Sequence, residues 1–184
     1  MAIASRPDPT PDLLARAARI RLACFDVDGT LTDGRLYIGA DGTEIKAFHV
    51  HDGLGLSLLR RAGITVVLVT ARSSAAAEIR ARDLDIEVHT GVKDKRACVD
   101  ALRTRLGLAA DEVSFMGDDL TDLPVLSVAG LGAAPADAHP SILGHVHWQS
   151  VLRGGEGAAR EFCDLLLSAR GNAGNGADAA GARQ

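Results

Sequence analysis

Short runs of apolar residues alternate with segments of helical periodicity along most of the chain. The apolar runs predict strands at 20–26, 64–70, 86–90, 112–118 and 129–134. The segments between them predict helices at 53–62, 73–83, 94–106 and 119–127. Strands that are apolar at nearly every position are typical of a parallel sheet covered by helices on both faces. The alternation therefore predicts a doubly wound, Rossmann-like α/β domain.

One segment departs from this alternation. Residues 35–48, RLYIGADGTEIKAF, have two strand-like halves around GADG, which is the signature of a β-hairpin. The hairpin is expected to project from just after the first strand. Because of that position, we interpret the hairpin as an active-site flap or as an arm that contacts another subunit, in preference to a hairpin without a functional role.

The two ends of the chain differ from the predicted domain, which we place at residues 18–169. Residues 1–17 are expected to be a lead-in that ends in a short amphipathic helix, and they lack the apolar core of a signal peptide. Residues 170–184 are rich in glycine and alanine without periodicity, which predicts a disordered tail. No apolar run reaches the ~18 residues that a transmembrane helix needs.

Composition narrows the class of protein. Of the 184 residues 47% are hydrophobic but only 3% are aromatic, so the core must consist of Leu, Val, Ile and Ala. A formal net charge of -4 argues against a general nucleic-acid or anionic-membrane binder. The cysteines Cys24, Cys98 and Cys163 are widely separated and form no CxxC pair, which favours reduced thiols of a cytoplasmic protein over a metal or redox centre.

Polar residues of unusual kind follow the predicted strands at the points where the strands end. They are Asp26 and Asp28 after the first strand, Thr70 and Arg72 after the second, Lys93 and Lys95 after the third, and Asp118 and Asp119 after the fourth. In doubly wound sheets, ligands bind at the carboxyl ends of the strands. The sequence therefore predicts a ligand site at this edge of the sheet.

The chemistry of that site begins with Asp26 and Asp28, whose carboxylates repel one another unless a cation neutralises them or one keeps its proton. A hard divalent cation such as Mg²⁺ suits a site of few carboxylates plus waters, and Asp118 would complete the ligand set. Such a site beside a lysine and a threonine is suited to phosphoryl transfer. Asp26 is then a candidate nucleophile, and Asp28 is a candidate proton donor to the leaving oxygen.

Four segments in this order, DVDGT, VVLVTAR, KDK and GDDLTD, resemble the four motifs of the haloacid dehalogenase-like phosphatase superfamily. The resemblance implies that Asp26 forms an aspartyl-phosphate and binds Mg²⁺. It implies that Asp28 acts as general acid/base and offers its backbone carbonyl to the metal. Asp118 would bind Mg²⁺, with Asp119 nearby in support.

The same resemblance assigns the phosphoryl group to Thr70 and Lys95, with Lys93 as the rival for the lysine. We prefer Lys95 because it opens a predicted helix that would direct its ammonium group back towards the strand ends. The second motif reads TAR where relatives commonly have Thr-Gly-Arg, so Ala71 adds a methyl group near the phosphate-binding turn.

Spacing narrows the prediction further. Between Asp28 and Thr70 there is room for one hairpin and one helix, and between Lys95 and Asp118 for one helix and one strand. Neither interval holds the cap domain that covers the substrate in many members of the superfamily. An uncapped site must exclude water in another way. We therefore expect a homo-oligomer in which the hairpin contacts a neighbouring subunit.

Over roughly residues 18–169 the chain resembles a narrower branch, the capless and tetrameric 3-deoxy-D-manno-octulosonate 8-phosphate phosphatases. The segments DGTLTDGRLYIGADGTEIKAFHVHDGLG, GDDLTDLPVL, AAPADAHP and GGEGAAREFCDLLL carry this resemblance. It implies hydrolysis of that sugar acid phosphate for lipopolysaccharide biosynthesis, by a cytoplasmic homotetramer whose region 153–160 reaches towards an adjacent active site. It implies substrate contacts from His49, Val50, His51, Asp52, Gly53, Ser57, Arg72 and Arg80.

The residues themselves support part of this assignment. A guanidinium group such as that of Arg72 suits a sugar carboxylate through paired hydrogen bonds. Arg80 lies about two helical turns further on a similar face, although a helix arginine is more often solvated. The sequence offers no third histidine or cysteine thiolate close by to complete a zinc site with His49 and His51. We therefore favour contact of these histidines with substrate or solvent.

Three alternatives stay open at this point. The first is the same reaction on another acid sugar phosphate, such as a nonulosonate 9-phosphate, because related capless domains act in that pathway. A non-catalytic module is disfavoured by the mutually repelling carboxylates, and a phosphomutase generally needs a cap to retain its intermediate.

Within 153–160, Glu156 stands where relatives can have a basic residue, which leaves Arg153 and Arg160 as the candidates for substrate contact. Asp33 is interpreted as a support for the loop that begins the hairpin.

Overall fold

The computed structural model describes residues 8–181, with side chains up to residue 171. The helices are α1 (Pro11–Arg19), α2 (Val50–Arg61), α3 (Ala75–Leu84), α4 (Lys95–Arg105), α5 (Leu123–Leu126) and α6 (Ala158–Gly181), and short 3₁₀ helices span Ala110–Glu112 and Pro140–His145. The strands are β1 (Leu22–Phe25), β2 (Tyr37–Ile38), β3 (Glu44–Ile45), β4 (Thr65–Val69), β5 (Glu87–His89), β6 (Val113–Met116), β7 (Leu131–Ala134) and β8 (Trp148–Gln149).

Six of these strands form one parallel sheet in the order β5–β4–β1–β6–β7–β8. β1 pairs on one side with β4, where Phe25 lies opposite Leu68, and on the other with β6, where Phe25 lies opposite Met116. The chain therefore winds outward from β1 in both directions, and the carboxyl end of β1 is the switch point at which such folds bind ligands. The predicted doubly wound α/β fold is confirmed, and β8 is an edge strand that the sequence did not predict.

The side chains of β1 alternate between two apolar layers. Ala23 and Phe25 pack in one layer with α1, α2, α3 and α6, and Leu22 and Cys24 pack in the other with α4 and α5. All four side chains are fully buried. Because helices cover both faces of the strand, no position of β1 can carry an exposed polar group, which explains its continuous apolar run.

β2 and β3 form the predicted antiparallel hairpin, with Tyr37 opposite Ile45. The Gly39 amide donates to the Thr43 carbonyl (2.8 Å), and Gly42 adopts φ +83°, a conformation that glycine alone adopts without strain. The hairpin is the only regular structure between β1 and α2, and one 3₁₀ turn separates α4 from β6. Residues 8–181 thus contain no cap domain, as the spacing predicts.

Two helices differ from the sequence prediction. α5 is shorter than the predicted 119–127, because the turn before it is organised by Asp122, whose side chain accepts the amides of Asp118 (3.0 Å) and Asp119 (3.2 Å). α6 was not predicted, and its alanine-rich end continues helically through most of the segment 170–184 that was expected to be disordered. Residues 1–7 of the predicted lead-in and 182–184 of the predicted tail lie outside the described residues. None of the described helices is both long and apolar enough to cross a membrane.

Candidate active site

The candidate site lies at the carboxyl edge of the parallel sheet. Asp26 directly follows β1, Thr70 directly follows β4, and Asp118 comes just after β6. The Asp26 amide donates to the Met116 carbonyl (2.9 Å), and the Thr70 amide donates to the His89 carbonyl (2.9 Å). Interstrand hydrogen bonds therefore continue into the residues that carry the chemistry, which places them on rigid backbone.

Three carboxylates meet at this edge. Asp26, Asp118 and Asp122 each offer an oxygen, and these oxygens lie within 4.8 Å of one another. The Lys95 ammonium group donates to Asp26 (Nζ to Oδ1, 2.6 Å) and to Asp122 (Nζ to Oδ1, 2.5 Å). Asp26, Lys95 and Asp122 are 4%, 3% and 0% exposed. One lysine cannot balance three carboxylates, of which Asp26 and Asp122 are buried and Asp118 is half-buried, so the cluster fits a hard divalent cation with oxygen ligands.

The protonation properties of the cluster agree with this interpretation. Burial raises the pKa of Asp26 well above its ordinary value, and the Asp122 carboxylate adds to the shift while Lys95 opposes it. Burial and Asp122 also raise the pKa of Asp118 to about 6. Burial lowers the pKa of Lys95, but Asp26 and Asp122 outweigh it and raise that pKa overall, so the ammonium group stays charged. The carboxylates thus destabilise one another until a cation binds.

Two glycines make room for the carboxylates. A Cβ atom added at Gly117 would lie 2.4 Å from Cγ of Asp122, and one added at Gly29 would lie 2.1 Å from Oδ2 of Asp118. Gly29 also has φ +87°, which any other residue would adopt only with strain. The Thr30 hydroxyl donates to Oδ1 of Asp118 (3.4 Å). The glycine in DVDGT is therefore required by the carboxylate behind it as well as by its own turn.

Asp28 is linked to the hairpin. Its carboxylate pairs with Lys46, and the Arg72 Nε lies 3.9 Å from Oδ2. Glu44 of β3 pairs with both cations, with 2.6 Å to Arg72 Nη2 and 3.2 Å to Lys46 Nζ. Ile45, between Glu44 and Lys46, is 63% exposed, whereas the Lys46 side chain is fully covered. Ion pairs of Glu44 with Arg72 and of Lys46 with Asp28 therefore connect the hairpin to the site.

The predicted substrate contacts in α2 lie around its first turn. His49 caps the helix, since its Nδ1 accepts the His51 amide (3.2 Å), and the two imidazole rings are 4.9 Å apart. Val50 is 77% exposed. Ser57 is half-buried in the middle of the helix. Among these four residues, the structure gives none a contact with the carboxylate cluster.

Arg80 of α3 packs against the same helix end. Its guanidinium lies 5.8 Å from the centre of the Phe48 ring, and its Nη2 would be 2.1 Å from a Cβ atom at Gly53. Arg80, His49, Asp52 and Gly53 line a cavity of about 10 Å³, which holds one water molecule at most. This cavity is therefore too small for a sugar, whereas Arg80 and Val50 also line a separate cavity of about 440 Å³ beside Lys46.

Two further candidates lie outside the carboxylate cluster. Asp119 is exposed, and its Oδ1 accepts the Leu120 amide (2.7 Å). Lys93 is exposed as well, whereas Lys95 at the first position of α4 lies buried between two carboxylates. Sequence reasoning did not single out Asp122, although it is the last residue of GDDLTD and shares the cluster.

Lys46 is the second residue that sequence reasoning missed. The available signal was the alternation in EIKAF, which places Glu44 and Lys46 on one side of β3 and Ile45 on the other. Which side faces the site depends on how the hairpin folds back towards Arg72, and no local pattern determines that.

Known proteins with similar sequences decide the family. Residues 85–160 match the model of the haloacid dehalogenase-like hydrolases. A 3-deoxy-D-manno-octulosonate 8-phosphate phosphatase of Yersinia pestis is 42% identical over 160 residues, which cover 86% of each chain. This chain belongs to the 3-deoxy-D-manno-octulosonate 8-phosphate phosphatase family. The family resemblance predicted from the four motifs is confirmed.

Solved structures of similar proteins agree with this family membership. A hypothetical protein of Xanthomonas campestris has a TM-score of 0.88 and 57% identity, with 93% of each chain covered. A family member from Moraxella catarrhalis, solved with magnesium, phosphate and KDO, has a TM-score of 0.85 and 37% identity, covering 88% of this chain and 93% of that one.

Neutralising Asp118 is expected to stabilise the metal-free protein. Its pKa of about 6 in the folded chain exceeds the ordinary 3.8, so its ionised form costs the folded state about 3 kcal/mol above pH 6. That cost is relieved as the pH falls from 6 towards 4, because the folded chain then binds a proton that the unfolded chain does not. Asp118→Asn should raise the melting temperature in chelator at pH 7.5, with a smaller gain at pH 5.

The same variant should lose the stabilisation that Mg²⁺ gives to the wild-type protein. Asp164→Asn, which changes an exposed carboxylate on the surface of α6, should keep that Mg²⁺-dependent shift. Calorimetry of the three proteins with chelator and with Mg²⁺ measures both effects. A destabilised Asp118→Asn protein that still responds to Mg²⁺ would contradict the assignment of Asp118 to the cation site.

Proposed function

We propose that this chain is a phosphomonoesterase that releases phosphate from 3-deoxy-D-manno-octulosonate 8-phosphate, for lipopolysaccharide biosynthesis, with one domain over residues 18–169. The observation that carries the proposal is the buried Asp26–Lys95 pair within a three-carboxylate cluster, at the end of β1. The chain that holds this cluster is 42% identical to a phosphatase of that name. The Moraxella catarrhalis relative with magnesium, phosphate and KDO has the same fold.

Asp26 is the nucleophile in this proposal. Its carboxylate oxygen forms a bond to phosphorus while the ester P–O bond to the sugar breaks. Lys95, already 2.6 Å from Oδ1 of Asp26, and the buried Thr70 bind the phosphoryl oxygens and stabilise their charge. Asp28 donates a proton to the departing sugar oxygen. A water oxygen then bonds to phosphorus while the P–O bond to Asp26 breaks and phosphate leaves. Asp28 takes a proton from that water, so Asp26 returns to its carboxylate form and Asp28 to its protonated form.

A divalent cation would be held by Asp26, Asp118 and the backbone carbonyl of Asp28, and we assign Mg²⁺ to this position. All these donors are oxygens, which suits a hard cation. The bound ion would neutralise the carboxylates and the charge on the transferred phosphoryl group. Asp122 supports the arrangement, because it holds Lys95 and the backbone of the 118–119 turn at the same time.

The carboxylate of the sugar is assigned to Arg72. Its guanidinium side chain is 44% exposed and lies beside Asp28, so it is accessible from the site. Glu44 holds the Arg72 Nη2 at 2.6 Å, so a substrate carboxylate would exchange with the Glu44 carboxylate there. His49, Val50, His51, Gly53, Ser57 and Arg80 stay proposed as further substrate contacts. Asp52 is left out of this set because it is only 2% exposed and accepts the backbone amide of Arg160.

The substrate is tested with a panel of phosphate esters. Wild-type protein should release phosphate from 3-deoxy-D-manno-octulosonate 8-phosphate with Mg²⁺ and should lose this activity in chelator. A nonulosonate 9-phosphate and a neutral hexose 6-phosphate are the comparison substrates. A higher kcat/KM for the nonulosonate would transfer the assignment to that sugar, and equal values for the neutral ester would remove the claim of acid-sugar specificity. No hydrolysis of any ester would support a non-catalytic module.

We also propose that the chain forms a cytoplasmic homotetramer through the hairpin and the C-terminal region. Several large apolar side chains of the hairpin are exposed, among them Leu36 (45%), Tyr37 (46%), Ile38 (64%) and Ile45 (63%). Tyr37 and Ile45 lie opposite each other and share the outer face of the hairpin, and exposed apolar side chains grouped in this way mark protein interfaces. A neighbouring subunit on this surface would shield an active site that has no cap.

A charge on this surface is expected to break the assembly. Ile45→Glu places a carboxylate where an apolar contact is proposed, so sedimentation velocity should show smaller species than the wild-type protein. Leu106→Glu changes an exposed apolar residue at the far end of α4 and should leave the assembly intact. A wild-type protein that is active as a monomer would overturn the proposal that neighbouring subunits replace the cap.

A further inference from the structure

Asp52 lies inside the protein, at the third position of α2. It is only 2% exposed, and Oδ1 accepts the backbone amide of Arg160 at 2.7 Å. The Arg160 amide belongs to the first turn of α6, where helix amides have no partner within the helix. Asp52, a residue of α2, therefore caps the beginning of α6. This structural role differs from a contact with the substrate.

The bond depends on the backbone of α6 and not on the side chain of residue 160. The Arg160 side chain is directed to Asp164, with Nε at 2.9 Å from Oδ1 on the protein surface. At the crossing of the two helices, a Cβ atom at Gly55 would lie 3.1 Å from Sγ of Cys163, which shows how closely α2 and α6 approach. The cap thus fixes the beginning of α6 relative to α2.

The residues just before α6 pack directly on the catalytic loop. A Cβ atom at Gly154 would lie 1.8 Å from the Gly29 carbonyl oxygen, and one at Gly155 would lie 2.6 Å from the carbonyl carbon of Thr32. The Gly155 amide donates to the Thr30 carbonyl (3.1 Å). Backbone therefore meets backbone across this contact, and any shift of residues 154–155 moves the loop that follows Asp28.

The far end of this glycine segment is also held. The Gly154 amide donates to Oδ1 of Asp137 (2.9 Å), and Arg153 pairs with the same carboxylate at 3.3 Å. Between Asp137 and Asp52 the segment has positive φ angles at Gly155 (+66°) and Gly157 (+105°). Its path is consequently set by two carboxylates, one at each end, and by the absence of side chains between them.

We propose that Asp52 is a positioning residue for the phosphatase reaction, which holds α6 so that Gly154 and Gly155 keep the backbone at residues 28–30 in its catalytic geometry. The proposal rests on the proposed function. In it, Asp52 acts on the catalytic loop through the position of α6 and of residues 154–155. A displacement of about 1 Å at a reacting group lowers turnover up to about 100-fold. The effect should therefore appear in kcat, because Asp52 does not touch the sugar.

The test compares Asp52→Ala with Thr10→Ala, which removes the side-chain cap of α1 far from the site. Both variants lose a helix cap and should melt at lower temperature. At a temperature where all proteins are folded, Asp52→Ala should lower kcat about 10- to 100-fold with KM within about twofold. Thr10→Ala should keep the wild-type kcat. Asp52→Asn retains an acceptor oxygen and should recover kcat to within about threefold of wild type.

Two further measurements separate positioning from simple stability. Amide hydrogen exchange at residues 28–32 should be faster in Asp52→Ala and unchanged in Thr10→Ala. Gly154→Ala displaces the same segment, so adding Asp52→Ala to it should lower kcat by much less than Asp52→Ala does alone.

The outcomes distinguish this proposal from the proposed function. p-Nitrophenyl phosphate is assayed beside the sugar phosphate, and a wild-type protein that hydrolyses neither would overturn the proposed function itself. If the wild-type protein is active and Asp52→Ala keeps its kcat, Asp52 is only a stabilising cap. A raised KM at unchanged kcat would instead make Asp52 a substrate contact, and either result overturns the positioning role.

Discussion

Asp26→Asn is expected to lower the rate of phosphate release by about 10⁴-fold or more, which is the usual scale for loss of a nucleophile. The amide cannot form an acyl phosphate, and it also removes one anionic ligand of the proposed cation site. The metal-free variant should be more stable than the wild-type protein, because burial and Asp122 already disfavour the ionised form of Asp26. Steady-state assays with Mg²⁺ and calorimetry in chelator measure the two effects.

The combination of lost activity and gained stability is the specific expectation for Asp26. Asp164→Asn is the matched control, since it removes an exposed carboxylate on α6 that pairs only with Arg160 in the described structure. It should leave turnover unchanged. Turnover of Asp26→Asn close to the wild-type rate would show that another group attacks phosphorus.

Lys95→Met is expected to reduce both activity and stability. The ammonium group bonds Asp26 and Asp122 in a buried position, and removal of one partner from a buried ion pair costs about 3–5 kcal/mol. Loss of a cation that stabilises the phosphoryl charge should lower kcat about 10²- to 10³-fold. Added Mg²⁺ should recover part of the stability, because it supplies positive charge to the same carboxylates.

Lys93→Met provides the matched control for this variant. Lys93 lies two residues earlier but is exposed, so its removal should change the melting temperature and kcat very little. If the loss of activity follows Lys93 and leaves Lys95→Met unimpaired, the lysine of the KDK motif has been assigned to the wrong residue. Chemical denaturation and initial rates of the two variants under identical conditions give the answer.

The strands and the position of the site were predictable from the sequence because each depends on local signals. β1 is apolar at every position since helices cover both of its faces, and Asp26 follows as the first polar residue at the end of the strand. Parallel strands bring their carboxyl ends to one edge, so the sequence alone predicts that Asp26, Thr70 and Asp118 lie close together.

Other residues of the site depend on contacts between distant segments. Asp122 was hidden within the predicted helix 119–127, and its role follows from a turn that directs its side chain back to the amides of Asp118 and Asp119. Lys46 becomes part of the site when the hairpin folds over Asp28. The continuation of α6 beyond residue 169 was missed because alanine and glycine together resemble a disordered tail. The first part of the helix, residues 158–169, packs on α2 and α1.

The hairpin has consequences for which insertions and deletions the chain can tolerate. The hairpin directs Glu44 of β3 and the following Lys46 to the catalytic edge and Ile45 to the exterior. A strand exchanges its two faces when it shifts by a single residue. A deletion in the turn 39–43 would therefore turn isoleucine towards Asp28 and the two charges outward, whereas a substitution at the turn would not. Natural variation in this segment should consequently change residue types while it preserves the number of residues.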